Sequence, residues 1–191
     1  MIRLPPLTLE ELPDDLRAMF TAATAQMGFA PNDVLVMAHW PDLLRVLGPL
    51  VFTVWAPGEV SMELKRMVGL IASAAGGCQY CVAHNAHGLK LDGVAPEKQA
   101  AVWEFDYSPL FTTAERAALR VARGGGLAPN GVSAGDEELA DLMNHYSPRQ
   151  VAEIVAVIGL FGFLNRWNAT LRVPLEAAPA AVATETLGSR G

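Results

Sequence analysis

Two cysteines, Cys78 and Cys81, are the only ones in the chain, and they stand three residues apart in Gly76-Gly77-Cys78-Gln79-Tyr80-Cys81-Val82-Ala83-His84-Asn85-Ala86-His87-Gly88. Two of the four histidines, His84 and His87, fall in the same stretch. Side chains at i and i+3 of a helix share one face, so this spacing places two sulfurs within bonding reach. A dithiol at a helix start is also primed for redox work. Free amides and the helix dipole favour a thiolate there, and CxxC thiols titrate as low as about 3.5–7. His84 lies one turn beyond Cys81 and His87 two, so either imidazole could exchange a proton with the second sulfur.

Other readings of the pair are open. Buried cysteines can simply fill space. A structural zinc site wants four ligands from two elements, and no second Cys/His cluster accompanies this one, because His39 and His145 stand alone. Haem attachment needs a histidine directly after the second cysteine, where Val82 stands. A thioredoxin-type scaffold needs alternating strands and helices, and the chain offers no convincing strand.

The elements that must hold the dithiol are helical. Ser61 caps a helix to Ala75 with Leu64, Met67, Val68 and Ile71 inward, and Gly76-Gly77 ends it so that the dithiol helix, Cys78 to about Leu91, can start. Upstream, Leu12 to Met27 carries an apolar stripe of Leu16, Met19, Phe20 and Ala23 and stops at Gly28. Pro31-Asn32 opens a short helix. Pro41 begins another towards Trp55, bent at Gly48-Pro49. His39, in the junction before it, reads as a packing or capping residue. Downstream, Ala95-Pro96 starts a short helix to about Trp103. Thr112 and Glu115 have capping-box spacing for a helix ending at Gly124, with Gly124-Gly125-Gly126 as a flexible connection. Asp136 to Tyr146 is helical. Ser147-Pro148-Arg149-Gln150 then combines cap, first-turn proline and capping-box glutamine, and the helix beyond it is apolar nearly all round. The expectation is an all-α fold of eight or nine helices, with one domain over residues 1–176. Residues 177–191 read as a tail, either disordered or wrapped on a neighbouring subunit.

Composition narrows the partners. Apolar residues make up 51% and charged residues 18% of the 191, with a net charge of −6. Such a greasy helical chain is expected to bury surface against copies of itself. The acidic balance argues against nucleic acid, which calls for a basic stripe. No apolar run reaches the roughly 18–20 residues of a membrane span, and Val151–Leu164, the nearest, carries Glu153. The first residues lack the apolar core of a signal peptide. A cytoplasmic location follows as the expectation, and there a CxxC is catalytic more often than a permanent bridge.

The segment Glu63–Leu70 leading into Ala72-Ser73-Ala74-Ala75-Gly76-Gly77-Cys78-Gln79-Tyr80-Cys81-Val82-Ala83-His84 resembles the core of the carboxymuconolactone decarboxylase/AhpD-like alkylhydroperoxidase superfamily. Ala114-Glu115-Arg116-Ala117-Ala118-Leu119, Phe163-Leu164-Asn165-Arg166-Trp167-Asn168 and Pro174-Leu175-Glu176 extend the resemblance over roughly residues 8 to 176. It implies an AhpD-like helical fold assembling as a dimer, trimer or hexamer. It also implies reduction of a peroxide, or another thiol-reactive small molecule, without metal or cofactor. In that scheme Cys81 attacks the peroxide and becomes a sulfenic acid. Cys78 then closes the disulfide, and an external thiol or lipoyl-type reductant reopens it. Two positions depart from the peroxidase pattern: Arg66 stands where the family has a glutamate, and Asn85 where it has a histidine. His84 is the expected catalytic imidazole, and His87 and Glu63 are the candidate substitutes in the proton relay. Arg66 is expected either to lower a thiol's pKa or to pair with Glu63 or another chain's carboxylate. The superfamily's lactone decarboxylation branch, and a redox-responsive assembly without turnover, are the alternative functions.

Overall fold

The structure, a computed structural model, describes residues 2–127 and 134–188, apart from the side chains of Ala22, Ala23 and Gln26. The place of Ala23 in the first stripe therefore lies outside the described residues, as do residues 189–191 of the tail. Among the described residues ten α-helices follow in order: α1 (Asp14–Met27), α2 (Asn32–Met37), α3 (Pro41–Trp55), α4 (Met62–Ala75), α5 (Gln79–Leu91), α6 (Pro96–Ala100), α7 (Thr113–Gly126), α8 (Asp136–His145), α9 (Pro148–Leu171) and α10 (Ala177–Leu187). Among the described residues there is no strand.

α4 is the hub. It packs along α5, α7 and α9, and Met67, Val68, Leu70 and Ala72 leave almost no surface exposed. Its start is capped by Ser61, whose hydroxyl accepts from the Leu64 amide at 3.2 Å, replacing a bond that a helix's first turn cannot make internally. α9 begins with the expected capping box at Ser147 and Gln150. It is 24 residues long and carries an 18-residue window of mean hydropathy 1.3, so by length and composition it could cross a membrane. Its apolar character has a second cause: Ile154, Val157, Leu160 and Phe161 are buried in the helical pack.

Two stretches differ from the sequence expectation. Gly124-Gly125-Gly126 is not a flexible link but the last turn of α7. A methyl group on Gly126 would overlap the Ala72 carbonyl, so the glycine is there to let α7 touch the α4 backbone. The tenth helix, α10, occupies the stretch read as a tail. It packs on α5 of the same chain, and its Pro179, Val182, Ala183 and Leu187 are buried.

Candidate active site

The dithiol is positioned by the α4–α5 corner. Gly77 takes a left-handed conformation, φ 72°, which glycine adopts without steric cost. The chain then turns so that the Cys78 amide donates to the Ser73 carbonyl at 2.9 Å. Cys78 is the residue that caps α5, and its sulfur accepts from the Cys81 amide at 3.5 Å. Both cysteines are free thiols, 3% and 2% exposed respectively.

The two sulfurs are electrostatically unlike. Cys78 is lowered, first by the hydrogen bond from the Cys81 thiol and then by the Cys81 and Tyr80 amides, against the cost of burial. Cys81 is raised, first by that same bond, in which it holds the proton, and then by its burial. The Asn168 side-chain amide also donates to the Cys81 sulfur at 3.2 Å. Of the two, Cys78 at the helix N-terminus is the sulfur whose surroundings favour a negative charge, and Cys81 the one whose surroundings favour keeping its proton.

His84 is held one helical turn away. Its Nε2 is 2.7 Å from Glu176 Oε2, and its ring stacks on Tyr80 with centroids 4.3 Å apart. This hydrogen bond runs to a carboxylate and not to a sulfur. Glu176 also accepts from the Tyr80 hydroxyl at 2.9 Å and from the Asn32 amide. Burial pushes Glu176 up, but the His84 bond and charge, with the backbone amides, outweigh it and hold the carboxyl below its usual range. Asp33, at the start of α2, lies 3.3 Å from the same Tyr80 hydroxyl. Burial raises its carboxyl and the charge of Glu176 adds to that, while His84 pulls the other way. Burial and both carboxylates raise Tyr80 in turn.

The other sequence candidates sit elsewhere. His87 is buried beside Phe29, 5.6 Å between ring centroids. Burial lowers its pKa, and the charges of His84, Arg66 and Lys90 lower it further. Glu63 forms an ion pair with Lys98 at 2.7 Å, which Lys98 extends to Glu115 at 2.6 Å, so the structure does not bring Glu63 to the thiols. Nor does Arg66 pair with Glu63. Its guanidinium lies over Trp55, 4.3 Å from the ring centroid, and its Nε reaches Asp92 past the far end of α5 at 3.3 Å. Asn85 bonds back to the Cys81 carbonyl at 2.9 Å. Among the described residues, no group of three or more His, Cys, Asp or Glu side chains is arranged to hold a metal ion.

Sequence reasoning did not single out Asp33, Asn168 or Glu176 as members of the site. Asn168 and Glu176 do lie in segments that carry the family resemblance. Asp33 offers only a first-turn acidic residue of a short helix, a common and uninformative feature.

Comparison with known proteins agrees with this geometry. The profile of the carboxymuconolactone decarboxylase family matches residues 41–124. The chain is similar to the debrominase Bmp8, at 36% identity over 96% of this chain and 97% of that one for the apo form, with a TM-score of 0.88. A cysteine-to-alanine variant of Bmp8 in complex with 2,3,4-tribromopyrrole matches at 35% identity, 96% of both chains and the same TM-score. An uncharacterized peroxidase-related protein with an AhpD core, from Ralstonia eutropha JMP134, matches at 25% identity over 93% of this chain and 94% of that one, TM-score 0.77. The uncharacterized Escherichia coli K12 protein YnjA is 28% identical over 99 residues, 52% of this chain, which spans about half (53%) of YnjA's length. With the family profile over residues 41–124 and the likeness along almost the whole chain in agreement, the chain belongs to the carboxymuconolactone decarboxylase/AhpD-like superfamily.

Proposed function

We propose that the chain is a thiol-dependent oxidoreductase whose Cys78–Cys81 pair delivers two electrons to a small electrophile, with a peroxide as the first substrate class. The observation that carries this reading is the pair of adjacent free thiols at the start of α5, the Cys78 sulfur accepting from the Cys81 amide, with Cys78 lowered and Cys81 raised by their surroundings. Family resemblance implies attack by Cys81; the amides gathered on Cys78 favour the opposite order. The Cys78 thiolate attacks the outer peroxide oxygen, breaking the O–O bond and giving a sulfenic acid and an alkoxide. The Cys81 thiol then attacks that sulfur, its proton leaves with the hydroxide as water, and a disulfide remains. An external thiol or lipoyl-type reductant reopens it, as suits a thiol-reducing compartment such as the cytoplasm. His84, held by Glu176 through its Nε2, is the imidazole one turn beyond Cys81 that can exchange a proton in this cycle. Nearly covered sulfurs restrict the substrate to something small.

A second reading, reductive removal of a halogen from an aromatic ring, is favoured by the likeness to the debrominase Bmp8 along almost the whole chain. There the thiolate takes the halogen, the ring carbon takes a proton, and Cys81 displaces halide to close the same disulfide.

One experiment separates the readings. Reduced protein is mixed with an alkyl hydroperoxide or with 2,3,4-tribromopyrrole, and disulfide is counted against product. Stoichiometric disulfide with alcohol supports the first reading, and with debrominated pyrrole the second. Turnover of a lactone acid that survives both Cys78→Ser and Cys81→Ser would move the chain to the decarboxylase branch. A redox-dependent change of oligomer size without turnover would make it a non-catalytic assembly.

A further inference from the structure

The dithiol reaction does not explain why two carboxyl groups share one hydroxyl beside it. The Tyr80 hydroxyl has a single proton. Glu176 Oε1, at 2.9 Å, is the nearer acceptor, and the Tyr80 oxygen itself accepts from the Asp33 backbone amide at 3.2 Å. Asp33 Oδ1 already accepts from the Val34 amide at 2.8 Å, and it lies 3.3 Å from a tyrosine oxygen with no second proton to give. An ionised Asp33 would set oxygen against oxygen there. A proton on Asp33 turns the contact into a hydrogen bond donated to Tyr80. The Asn168 side-chain amide also faces Asp33, where as a donor it works against the burial that raises the carboxyl.

The site also bears on the sulfurs. A negative Asp33 raises both Cys78 and Cys81, so the pocket favours one negative charge between the carboxyl and the dithiol. The groups facing Asp33 are Cys78 at the cap of α5, Tyr80, Cys81 and His84 from α5, Asn168 from α9, and Glu176 from the segment after α9.

We propose that Asp33 stores the proton that balances the dithiol, holding it while Cys78 is a thiolate and giving it up when Cys78 and Cys81 join. This rests on the dithiol reading of the site. The balance closes. Cys78 thiolate, Cys81 thiol, Asp33 acid and ROOH become disulfide, Asp33 carboxylate, ROH and water, with one negative charge on each side. The alkoxide released by O–O cleavage takes the proton held at Asp33, and the Cys81 proton leaves in the water. An external dithiol then returns two electrons and two protons, one to Cys81 and one to Asp33.

The test needs no substrate. Oxidised protein is reduced with dithiothreitol at neutral pH in weak buffer, and released protons are read with an indicator dye. Wild type is expected to release none per disulfide opened, and Asp33→Asn one. Equal yields in the two proteins would overturn the assignment. If Asp33→Asn fails to fold, infrared difference spectra of wild type and of Glu176→Gln replace it. A protonated-carboxyl band present in the reduced form and lost on oxidation is expected in both, and an unchanged carboxyl region would overturn the proposal. Failure of wild type to form the disulfide at all would sink the dithiol reading and this inference together. A disulfide that forms and reopens with equal proton yields sinks only the role of Asp33.

Discussion

The side-chain amide of Asn168 donates to the sulfur of Cys81 at 3.2 Å, joining the end of the longest helix to the dithiol turn across 87 residues of sequence. Asn168 is almost fully buried, so the contact is made without competition from water. Removing one partner of a buried hydrogen bond leaves the other unsatisfied, at roughly 1–3 kcal/mol. Asn168→Ala is expected to cost about 2 kcal/mol in urea unfolding. It is also expected to slow closure of the disulfide, because Cys81 loses a donor that steadies it. Unchanged stability and closure rate would show that the amide is a bystander.

Glu176 ties the C-terminal segment to His84, Tyr80 and Asn32. Its folded pKa lies below the ordinary value of 4.5. The stability it contributes is therefore whole above that value and is lost as the pH falls through the folded one. Melting curves of wild type should drop in that acid window, and Glu176→Gln should flatten the drop. In Glu176→Gln the amides of α10 are expected to exchange faster at neutral pH. Identical exchange would mean that α10 is held by its apolar contacts alone.

Lys65 is 2% exposed and sits 3.4 Å from Glu153, while donating to the carbonyls of Val54 and Ala56 at 3.0 Å each. Burial pushes Glu153 up, but the Arg149 bond, the Glu59 and Val60 amides and the Lys65 charge together lower it to about 2. Breaking a buried pair by neutralising one member costs roughly 3–5 kcal/mol. Glu153→Gln is expected to destabilise the fold by about 3 kcal/mol, chiefly above the unfolded carboxylate pKa. Wild type should lose this contribution only as the pH falls from there towards 2. A loss of stability that is the same at pH 3 and pH 7 would contradict it.

The dithiol helix and its caps were legible because their signals are local. The i, i+3 cysteines, the glycine pair and the Ser147–Gln150 capping box each lie within a few residues. The rest of the site was not legible, because Glu176 reaches His84 across 92 positions and Asp33 reaches Tyr80 across 47. Only packing creates those neighbours. Glu63 is a related case: a carboxylate one turn from the expected relay position is paired with Lys98, which no periodicity reveals. Gly124-Gly125-Gly126 reads as a link because glycine is a poor helix former, and the close approach to Ala72 that explains it inside a helix is a long-range contact.

That approach is itself testable. Gly126→Ala forces a methyl group onto the Ala72 backbone, and overpacking of this kind costs about 1–3 kcal/mol. The α4–α7 contact should loosen, with lower denaturant midpoints and faster exchange in the last turn of α7. A stabilised variant, as expected if the turn were exposed and only propensity mattered, would show that the helices are not in contact there.

The order of attack depends on which sulfur carries the charge. Thiolate absorbance near 240 nm, followed from acid to alkaline pH in Cys78→Ser and Cys81→Ser, measures this directly. With Cys81→Ser the remaining Cys78 thiol should titrate below the ordinary value of roughly 8.5, still held by the α5 amides and the serine hydroxyl. With Cys78→Ser the remaining Cys81 thiol should titrate above it. An ordinary Cys78 in the first variant, or a depressed Cys81 in the second, would contradict the assignment of Cys78 as the attacking thiolate.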